Sequence, residues 1–386
     1  MWIPRLIEKR IHQAVKTRPV VMLTGARQVG KSSLLQNLYP KHTYVTLDHI
    51  RQAELANDNP EYFLSSLSTP AILDEMQYAP ELFRYLKVLV DENRSKNGQW
   101  ILTGSQKFEL MQSVSESLAG RIAIIELDTL SAEELRGAKA RNLNSFLWKG
   151  GYPELWENQK LSVRDFFESY IRTYLERDLK AIINVSSLQD FQRFLRVTAT
   201  RAGSLVNYRN IAKDVGVSSV TIKSWISALE QSGVVYILPP FFANLGKRMI
   251  KSSKLYFADH GLLCFLLNIN SLDDWQGHIM KGNVWENFVF SEILKNNRYR
   301  PGYQLFFYRD QNGVEMDFLI EDKKTITLIE AKSTENPDKK KFNFNKIEPL
   351  FKKYSVECLV ALNISDKKPL KMKNYTIFNP LHCLSE

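Results

Sequence analysis

Short apolar runs, each bounded by polar or turn-forming residues, recur through the first third of the chain. A run of this kind without alternation is typical of a strand that is buried on both faces of a parallel sheet. Polar stretches long enough for helices separate the runs, which is the rhythm of an α/β fold. The predicted strands lie at 20–24, 44–48, 71–75, 100–105 and 121–127.

The first apolar run leads into a glycine-rich loop with the pattern G-x-x-x-x-G-K-[ST], and a helical stretch follows it. The glycines let backbone N–H groups surround a phosphate chain, and the helix N-terminus adds partial positive charge. We predict an ATP site in which Lys31 reaches the β- and γ-phosphates and Ser32 coordinates Mg²⁺. The loop residues of this site are Gly25, Ala26, Arg27, Gln28, Val29, Gly30, Lys31, Ser32 and Ser33.

The third apolar run ends in two adjacent acids, Asp74 and Glu75. Asp74 is predicted to hold the Mg²⁺ shell, and Glu75 to act as the general base that polarises the attacking water. A base beside the metal ligand favours hydrolysis over nucleotide binding alone. The alternative is an exposed acidic strand end.

Polar residues also stand at the tip of the fourth predicted strand. In P-loop ATPases with an additional strand between the two motif strands, a polar residue at that tip senses the γ-phosphate. Thr103 and Ser105 are the candidates here, although both also suit a plain turn beside Gly104. Arg121 is predicted to meet a phosphate in its own or a neighbouring subunit, with a surface salt bridge as the alternative.

Residues 207–230 have the rhythm of a helix-turn-helix, with Gly216 at the turn and Ser218 capping the second helix. The apolar positions assigned to its interior are Ile211, Ala212, Val215, Val220, Ile222, Trp225, Ile226 and Leu229. A DNA-binding interpretation places the second helix in the major groove. The side chains then expected on its exposed face are Ser219, Thr221, Lys223 and Ser224.

Two further apolar runs, at 234–238 and 254–257, are predicted as wing strands. The basic residues expected to contact phosphates without sequence preference are Lys247, Arg248, Lys251 and Lys254. A rigid spacer or a protein interface is the alternative use of such a module.

The last region combines a helix at 281–294 with three predicted strands. Asp317 lies within an apolar strand, and the 13 residues to Glu330 allow a hairpin that sets the two acids side by side. Strand alternation then puts Glu330 and Lys332 on one face. With Glu286 on the preceding helix, this set is similar to the metal site of restriction-endonuclease-like folds, in which the three acids hold Mg²⁺ and the lysine activates water. Ordinary salt-bridged strand ends are the alternative.

Several stretches of this chain resemble an AAA-type ATPase of the predicted bacterial and archaeal ATPase family. They are GARQVGKSSL, ILDEMQ, WILTGS and SLAGR in residues 1–185, and then GGYPEL and YIRTYLERDL. In that family the ATPase carries a C-terminal winged helix and a restriction-endonuclease-like, DUF4143-type region, which residues 270–386 resemble. ATPases of this superfamily resemble each other in building the active site between subunits, so the resemblance implies a homo-oligomer, such as a hexamer. Arg177 is a second candidate for an arginine that acts in a neighbouring subunit.

The resemblance implies an α/β fold class with a P-loop parallel-sheet ATPase domain, a helical lid, a winged helix-turn-helix and a restriction-endonuclease-like α/β domain. We expect these parts at residues 1–130, 131–185, 186–260 and 261–386 respectively. A chain of 386 residues has room for two or three domains.

Composition narrows the setting and the partners. Apolar runs too short for a transmembrane helix, a start without a signal-peptide pattern and three scattered cysteines favour a soluble, cytoplasmic protein without a membrane partner. The net charge of +10 suits a polyanion, so we expect sequence-tolerant DNA binding. The predicted function is ATP hydrolysis coupled to translocation on, or remodelling of, duplex or branched DNA. A signalling NTPase switch with a protein-binding tail and an ATP-regulated, Mg²⁺-dependent nuclease are the alternatives.

Overall fold

A computed structural model describes residues 2–105, 117–138, 142–175, 188–241, 252–297, 302–338, 342–364 and 368–382. The chain divides into two compact units. The first contains residues 4–128 and 231–233, and the second contains residues 1–3, 129–230 and 234–386. Arg177, Lys247, Arg248 and Lys251 lie outside the described residues. The four predicted domain ranges stay predictions.

The first unit is a parallel sheet with helices between its strands. Its strands are β1 (Val20–Thr24), β2 (Thr43–Thr46), β3 (Ala71–Asp74), β4 (Trp100–Gly104) and β5 (Ile122–Glu126). Its helices are α1 (Glu8–Thr17), α2 (Lys31–Leu38), α3 (Ile50–Asp58), α4 (Pro60–Ser65) and α5 (Leu82–Glu92), with a 3₁₀ turn at Met76–Tyr78.

The sheet order is β2-β3-β4-β1-β5, and each neighbouring pair is parallel. Strand β4 therefore lies between β1, which leads into the glycine-rich loop, and β3, which ends in the two acids. All residues of β1, β3 and β4 are buried, as expected of central strands covered on both faces. Because the strands are parallel, the polar residues at their carboxyl ends share one edge of the sheet.

The second unit begins with short helices and a helical layer. They are α6 (Ala132–Gly137), α7 (Phe146–Lys149), α8 (Pro153–Glu157), α9 (Val163–Tyr170) and α10 (Leu188–Ala199), with a 3₁₀ turn at Leu143–Ser145 and a π-helical turn at Ile171–Leu175. Next come α11 (Tyr208–Val215), α12 (Ser219–Gln231) and the antiparallel pair β6 (Val235–Leu238) and β7 (Lys254–Phe257).

The two helices at 208–231 lie where the sequence predicts them. Gly216 ends α11 in the left-handed conformation, with φ of 88°, and the Ser218 hydroxyl accepts a hydrogen bond from the Thr221 N–H at 3.0 Å to cap α12. One interior assignment is wrong, because Val220 is 77% exposed. Val220 precedes Ile222 by two positions, which is about 200° around a helix, so the two side chains point to opposite faces.

A six-stranded mixed sheet forms the rest of the second unit. Its strands are β8 (Tyr303–Arg309), β9 (Glu315–Asp322), β10 (Thr325–Lys332), β11 (Ser355–Leu362), β12 (Leu370–Lys371) and β13 (Thr376–Phe378), in the order β12-β13-β11-β10-β9-β8. The remaining helices are α13 (His260–Leu266), α14 (Leu272–Gly277), α15 (Lys281–Asn297) and α16 (Phe344–Ile347), and a 3₁₀ turn follows at Glu348–Phe351.

Strands β9 and β10 form an antiparallel hairpin in which Phe318 is opposite Ile329. That register sets Asp317 beside Glu330, as the spacing of these acids predicts. Strand β10 also pairs in parallel with β11.

None of the helices within the described residues combines the length and the apolar character that crossing a lipid bilayer demands.

Candidate functional sites: a phosphate loop and an acid–lysine cluster

The glycine-rich loop between β1 and α2 has a backbone that most residues cannot adopt. Gly25, Gln28 and Gly30 all have positive φ, at 146°, 62° and 91°. A Cβ atom at Gly25 would collide with the backbone oxygen of Leu127, so this position requires glycine. The loop delivers the chain into α2, which begins at Lys31.

Lys31 is buried, and its ammonium group is held by the loop itself. Its Nζ atom donates to the carbonyl oxygens of Gly25 and Ala26, at 3.2 and 3.0 Å. The cation therefore lies inside the loop that is predicted to surround the phosphates.

Asp74 is the polar centre of the sheet edge next to this loop. Its Oδ1 atom accepts from the hydroxyls of Ser32, at 2.7 Å, and Thr103, and its Oδ2 atom accepts from the Tyr44 hydroxyl at 2.7 Å. The two residues predicted to hold Mg²⁺ are thus in direct contact. Burial, together with the hydrogen bond to Asp74, raises the pKa of Tyr44, which keeps this phenol protonated. Tyr44 is not among the predicted site residues, because no motif marks its strand.

Glu75 follows in the left-handed conformation, with φ of 61°, which is unusual for a residue with a long side chain. Its N–H donates to the Thr103 hydroxyl at 3.1 Å, and its carboxylate accepts from the Ser105 hydroxyl at 3.1 Å and from the Gln77 amide. Thr103 therefore touches both Asp74 and the Glu75 backbone, while Ser105 touches the Glu75 carboxylate. Both candidate sensors lie beside the predicted metal ligand and base.

Arg121 lies at the opposite edge of the sheet, just before β5 begins. It forms a bidentate pair with Asp91, at 2.6 and 2.9 Å, and also donates to the Ala119 carbonyl. Because β5 runs parallel to β1, about five residues or roughly 16 Å of strand separate Arg121 from the loop end. Contact with a phosphate bound in its own loop is therefore excluded, while the role in a neighbouring subunit stays a prediction.

A buried arginine that was not among the predicted site residues contacts the backbone of the phosphate loop. Arg5 donates to the carbonyl oxygens of Val29, at 3.0 Å, and Asp128, at 2.6 Å. It thereby links the loop to the segment that follows β5.

In the second unit, the structure brings Asp317, Glu330 and Lys332 together as predicted. The Lys332 ammonium lies between the two acids, 3.0 Å from Asp317 Oδ2 and 2.7 Å from Glu330 Oε2. Asp317 Oδ2 also accepts from the Ala331 N–H at 2.8 Å. Both carboxylates are buried, whereas Lys332 is partly exposed.

Glu286 joins this cluster through a second lysine. The Lys254 ammonium, on β7, lies 3.1 Å from Glu286 Oε1 and 2.7 Å from Glu315 Oε1. The Tyr256 hydroxyl donates to the same Glu286 oxygen at 2.6 Å. Lys254 is only 3% exposed, so the predicted phosphate contact by Lys254 is wrong: its charge is used inside the protein.

Burial and the two lysines set the ionisation of the acids in opposite directions. Burial acts to raise the pKa of Asp317, but Lys332 and Lys254 outweigh it and hold that pKa below its usual value. Burial, reinforced by the nearby charge of Asp317, raises the pKa of Glu330 to about 8. Burial also raises the pKa of Glu286, although Lys254 opposes the shift. The two ammonium groups therefore offset much of the negative charge of this cluster, and Glu330 holds its proton more tightly than an ordinary glutamate.

The two candidate Mg²⁺ sites differ in how well their residues suit the ion. At the phosphate loop, Ser32 and Asp74 offer adjacent oxygen ligands of the kind Mg²⁺ prefers, beside a loop shaped for phosphate. In the acid–lysine cluster, protein ammonium groups already lie against the carboxylates. Within the described ranges, no group of three or more His, Cys, Asp or Glu side chains is arranged so that it could hold a metal ion. Metal binding by Glu286, Asp317 and Glu330 stays a prediction that their present pairing does not favour.

Comparisons with known proteins match three stretches of the chain. Residues 17–136 match a family described as an AAA domain. Residues 140–273 and 281–384 match the domains of unknown function DUF8612 and DUF4143. The resemblance inferred from the motifs is thus confirmed for its AAA-type and DUF4143 parts. The winged-helix and restriction-endonuclease-like assignments stay predictions.

Among solved structures, the Walker-type ATPase PABY2304 of Pyrococcus abyssi is similar with 16% identity and a TM-score of 0.46, over 69% of this chain and 96% of that one. The uncharacterized proteins Rv2008c of Mycobacterium tuberculosis and Mb2031c of Mycobacterium bovis are each 32% identical to this chain over 331 residues, which is 85% of this chain and 73% of theirs. The chain therefore belongs to the same family as these two mycobacterial proteins, and its first unit carries the AAA domain of an AAA-type ATPase.

Proposed function

We propose that this protein binds ATP with Mg²⁺ at the phosphate loop and hydrolyses it. The backbone N–H groups of residues 25–33 would hold the phosphates, and Lys31 would exchange its two carbonyl partners for phosphate oxygens. Ser32 and Asp74 would hold the Mg²⁺, which when bound neutralises charge on the β- and γ-phosphates.

One observation carries this proposal: the hydrogen-bonded chain from Ser32 through Asp74 and Thr103 to Glu75 and Ser105. It links the predicted metal ligands to the predicted base through the tip of β4. A change at the γ-phosphate position would therefore reach Glu75 through hydroxyl groups already in contact with it.

Glu75 would act as the general base. In the present arrangement its carboxylate is engaged by Ser105 and Gln77. To accept a proton from an attacking water, it would exchange at least one of these partners for that water. The N–H bond to Thr103 holds the left-handed backbone of Glu75 at the end of β3, where Asp74 precedes it.

We further propose that hydrolysis is coupled to DNA, with α11 and α12 as the contact module. The support is a capped helix, a glycine turn and a second capped helix whose Lys223 and Ser224 are exposed. A single lysine on that helix favours phosphate contact over base recognition. We expect ATP to promote a homo-oligomeric ring, such as a hexamer, with Arg121 or Arg177 supplied to a neighbouring site.

The deciding experiment measures the ATPase rate with and without linear, branched and single-stranded DNA. A DNA-remodelling motor hydrolyses ATP faster with DNA, a signalling switch turns over slowly in all cases, and a nuclease nicks plasmid in Mg²⁺. The acid–lysine cluster favours the first two outcomes, because its carboxylates are already paired with ammonium groups.

Two variants test the assignment of residues. Lys31→Ala should abolish nucleotide binding, and Glu75→Gln should bind ATP normally but lower the turnover rate at least about 100-fold, in the range of a lost general base. Glu92→Gln, an exposed acid on α5, is the matched control and should behave like the wild type. Normal turnover in Glu75→Gln would show that the assigned base is wrong.

A further inference from the structure

The second unit contains a cavity of about 830 Å³ that none of the sites described above uses. This volume is in the range of small-molecule sites. Its lining mixes indole rings, cations and neutral hydrogen-bonding groups with one carboxylate, that of Glu157. The lining residues that matter here are Trp148, Lys149, Trp156, Arg164, Asn142 and Gln159.

Lys149, the last residue of α7, supplies a cation that contacts an aromatic ring. Its ammonium lies 4.8 Å from the ring centroid of Trp156, and partial burial lowers its pKa. Over the ranges that the structure describes, no carboxylate oxygen lies within 4.0 Å of this ammonium. A partly desolvated cation without a carboxylate partner favours an anionic ligand.

The two indole rings of the cavity differ in how the fold holds them. The Trp156 indole N–H donates to the Gly150 carbonyl at 2.8 Å, and its ring contacts Phe146, so this ring is fixed by the fold. Trp148 is half-buried against the core and also lines the cavity. It offers an aromatic surface beside the cation.

Arg164 gives the cavity a second positive group. Its pair with Glu168, at 3.0 Å, is exposed to solvent on both sides, and such pairs contribute little. Its guanidinium therefore has donors left for a ligand. The amides of Asn142 and Gln159 supply both donors and acceptors, which suits the edge of a heteroaromatic ring.

We propose that this cavity binds a nucleotide unit, with its base against Trp148 and its phosphate on Lys149 and Arg164. The combination of indole rings, cations and amide groups is the kind that proteins use to bind single nucleic-acid residues. The ligand would come either from a free mononucleotide or from one residue of a single strand. In the second case the inference rests on the proposed DNA function. In both cases the site is separate from the phosphate loop.

The test uses the full chain with Lys31→Ala, so that the phosphate loop does not compete for nucleotide. Calorimetry compares AMP and dTMP with a thymidine oligonucleotide and with an abasic oligonucleotide of equal length. Stacking on one ring predicts that the abasic strand binds roughly 5-fold to 100-fold more weakly. Binding by the mononucleotides identifies a free ligand, and binding by the oligonucleotide alone identifies a strand.

Trp148→Leu and Lys149→Met should each weaken that binding at least about fivefold, whereas Trp148→Phe should largely preserve it. Lys160→Met, an exposed lysine in the neighbouring loop, is the matched control. Equal affinity of the abasic strand, or unchanged affinity in both Trp148→Leu and Lys149→Met, overturns the inference. The proposed function is tested instead by duplex binding and by the basal ATPase rate of a chain with Lys31 intact. The proposed function and the nucleotide-binding cavity can therefore fail independently.

Discussion

Replacing Lys254 with methionine should destabilise the second unit strongly. Methionine keeps the length and most of the apolar stem of the lysine, so the change removes mainly the charge. Within the part of the chain that the structure describes, it leaves Glu286 without its cation and Glu315 with one cationic partner, Arg309, at 3.4 Å. Two carboxylates that were neutralised inside the protein then face each other's charge and that of Asp317.

The contacts of Lys254 set limits on the expected loss in the free energy of unfolding. Removing one partner of a buried ion pair costs about 3–5 kcal/mol, because the remaining charge stays desolvated. Lys254 is 3% exposed and bridges two acids, which argues for the upper part of that range. The acid side chains, however, are 17% and 29% exposed, and Glu286 keeps the hydroxyl of Tyr256. Water and this hydrogen bond offset part of the cost, so we expect a loss of about 3 kcal/mol.

Urea unfolding of the full chain, followed by circular dichroism, measures this loss. The variant Glu286→Gln in the Lys254→Met background should recover about 1–2 kcal/mol, since a neutral amide can accept from Tyr256 without an unpaired charge. Lys324→Met, at an exposed turn, is the control and should change stability by less than about 0.5 kcal/mol. A loss below about 1 kcal/mol in Lys254→Met, with no recovery in the double variant, would refute the counter-ion role.

Two further predictions concern other buried groups. Thr103→Val removes the hydroxyl shared by Asp74 and the Glu75 backbone. A hydrogen bond to a charged group contributes about 1.5–3 kcal/mol, so kcat for ATP hydrolysis should fall roughly 10-fold to 100-fold. The ATP dissociation constant should change little. Unchanged kcat would remove Thr103 from the proposed relay. Burial raises the pKa of Glu292 to about 7 although Lys295 opposes it, so the folded state holds this proton more tightly than the unfolded chain and loses stability as pH rises from about 4.5 to 7. Glu292→Gln should flatten the decline of Tm over that interval and raise Tm at pH 8; an unchanged Tm profile would contradict the assigned pKa.

The features that sequence analysis located correctly are those encoded by neighbouring residues. The phosphate loop, the Asp74–Glu75 pair and the Ser218 cap depend on spacings of a few residues. The contact of Asp317 with Lys332 needs only a hairpin and strand alternation. In each of these cases, local geometry fixes which side chains meet.

Contacts between partners that are distant along the chain could not be predicted from the sequence. Arg5 reaches Asp128 across 123 residues, and Tyr44 reaches Asp74 from the neighbouring parallel strand. Parallel strands are joined by crossovers of variable length, so their register cannot be counted along the sequence. The basic residues near Lys254 in the sequence predict that it is exposed, whereas its contacts with Glu286 and Glu315 show that it is buried.

The burial of charged residues bears directly on the DNA proposal. The basic residues buried within the described ranges are Arg5, Lys31, Lys254 and Lys295. The acids buried there are Asp74, Glu134, Asp259, Glu292, Asp317 and Glu330. Burial over these ranges therefore withdraws more negative than positive charge from the surface. Burial in the described ranges therefore does not lower the positive excess of the net +10 charge, even though Lys254 does not contribute to the surface. Because a polyanion responds to surface charge, this distribution supports sequence-tolerant DNA binding that weakens steeply as salt rises.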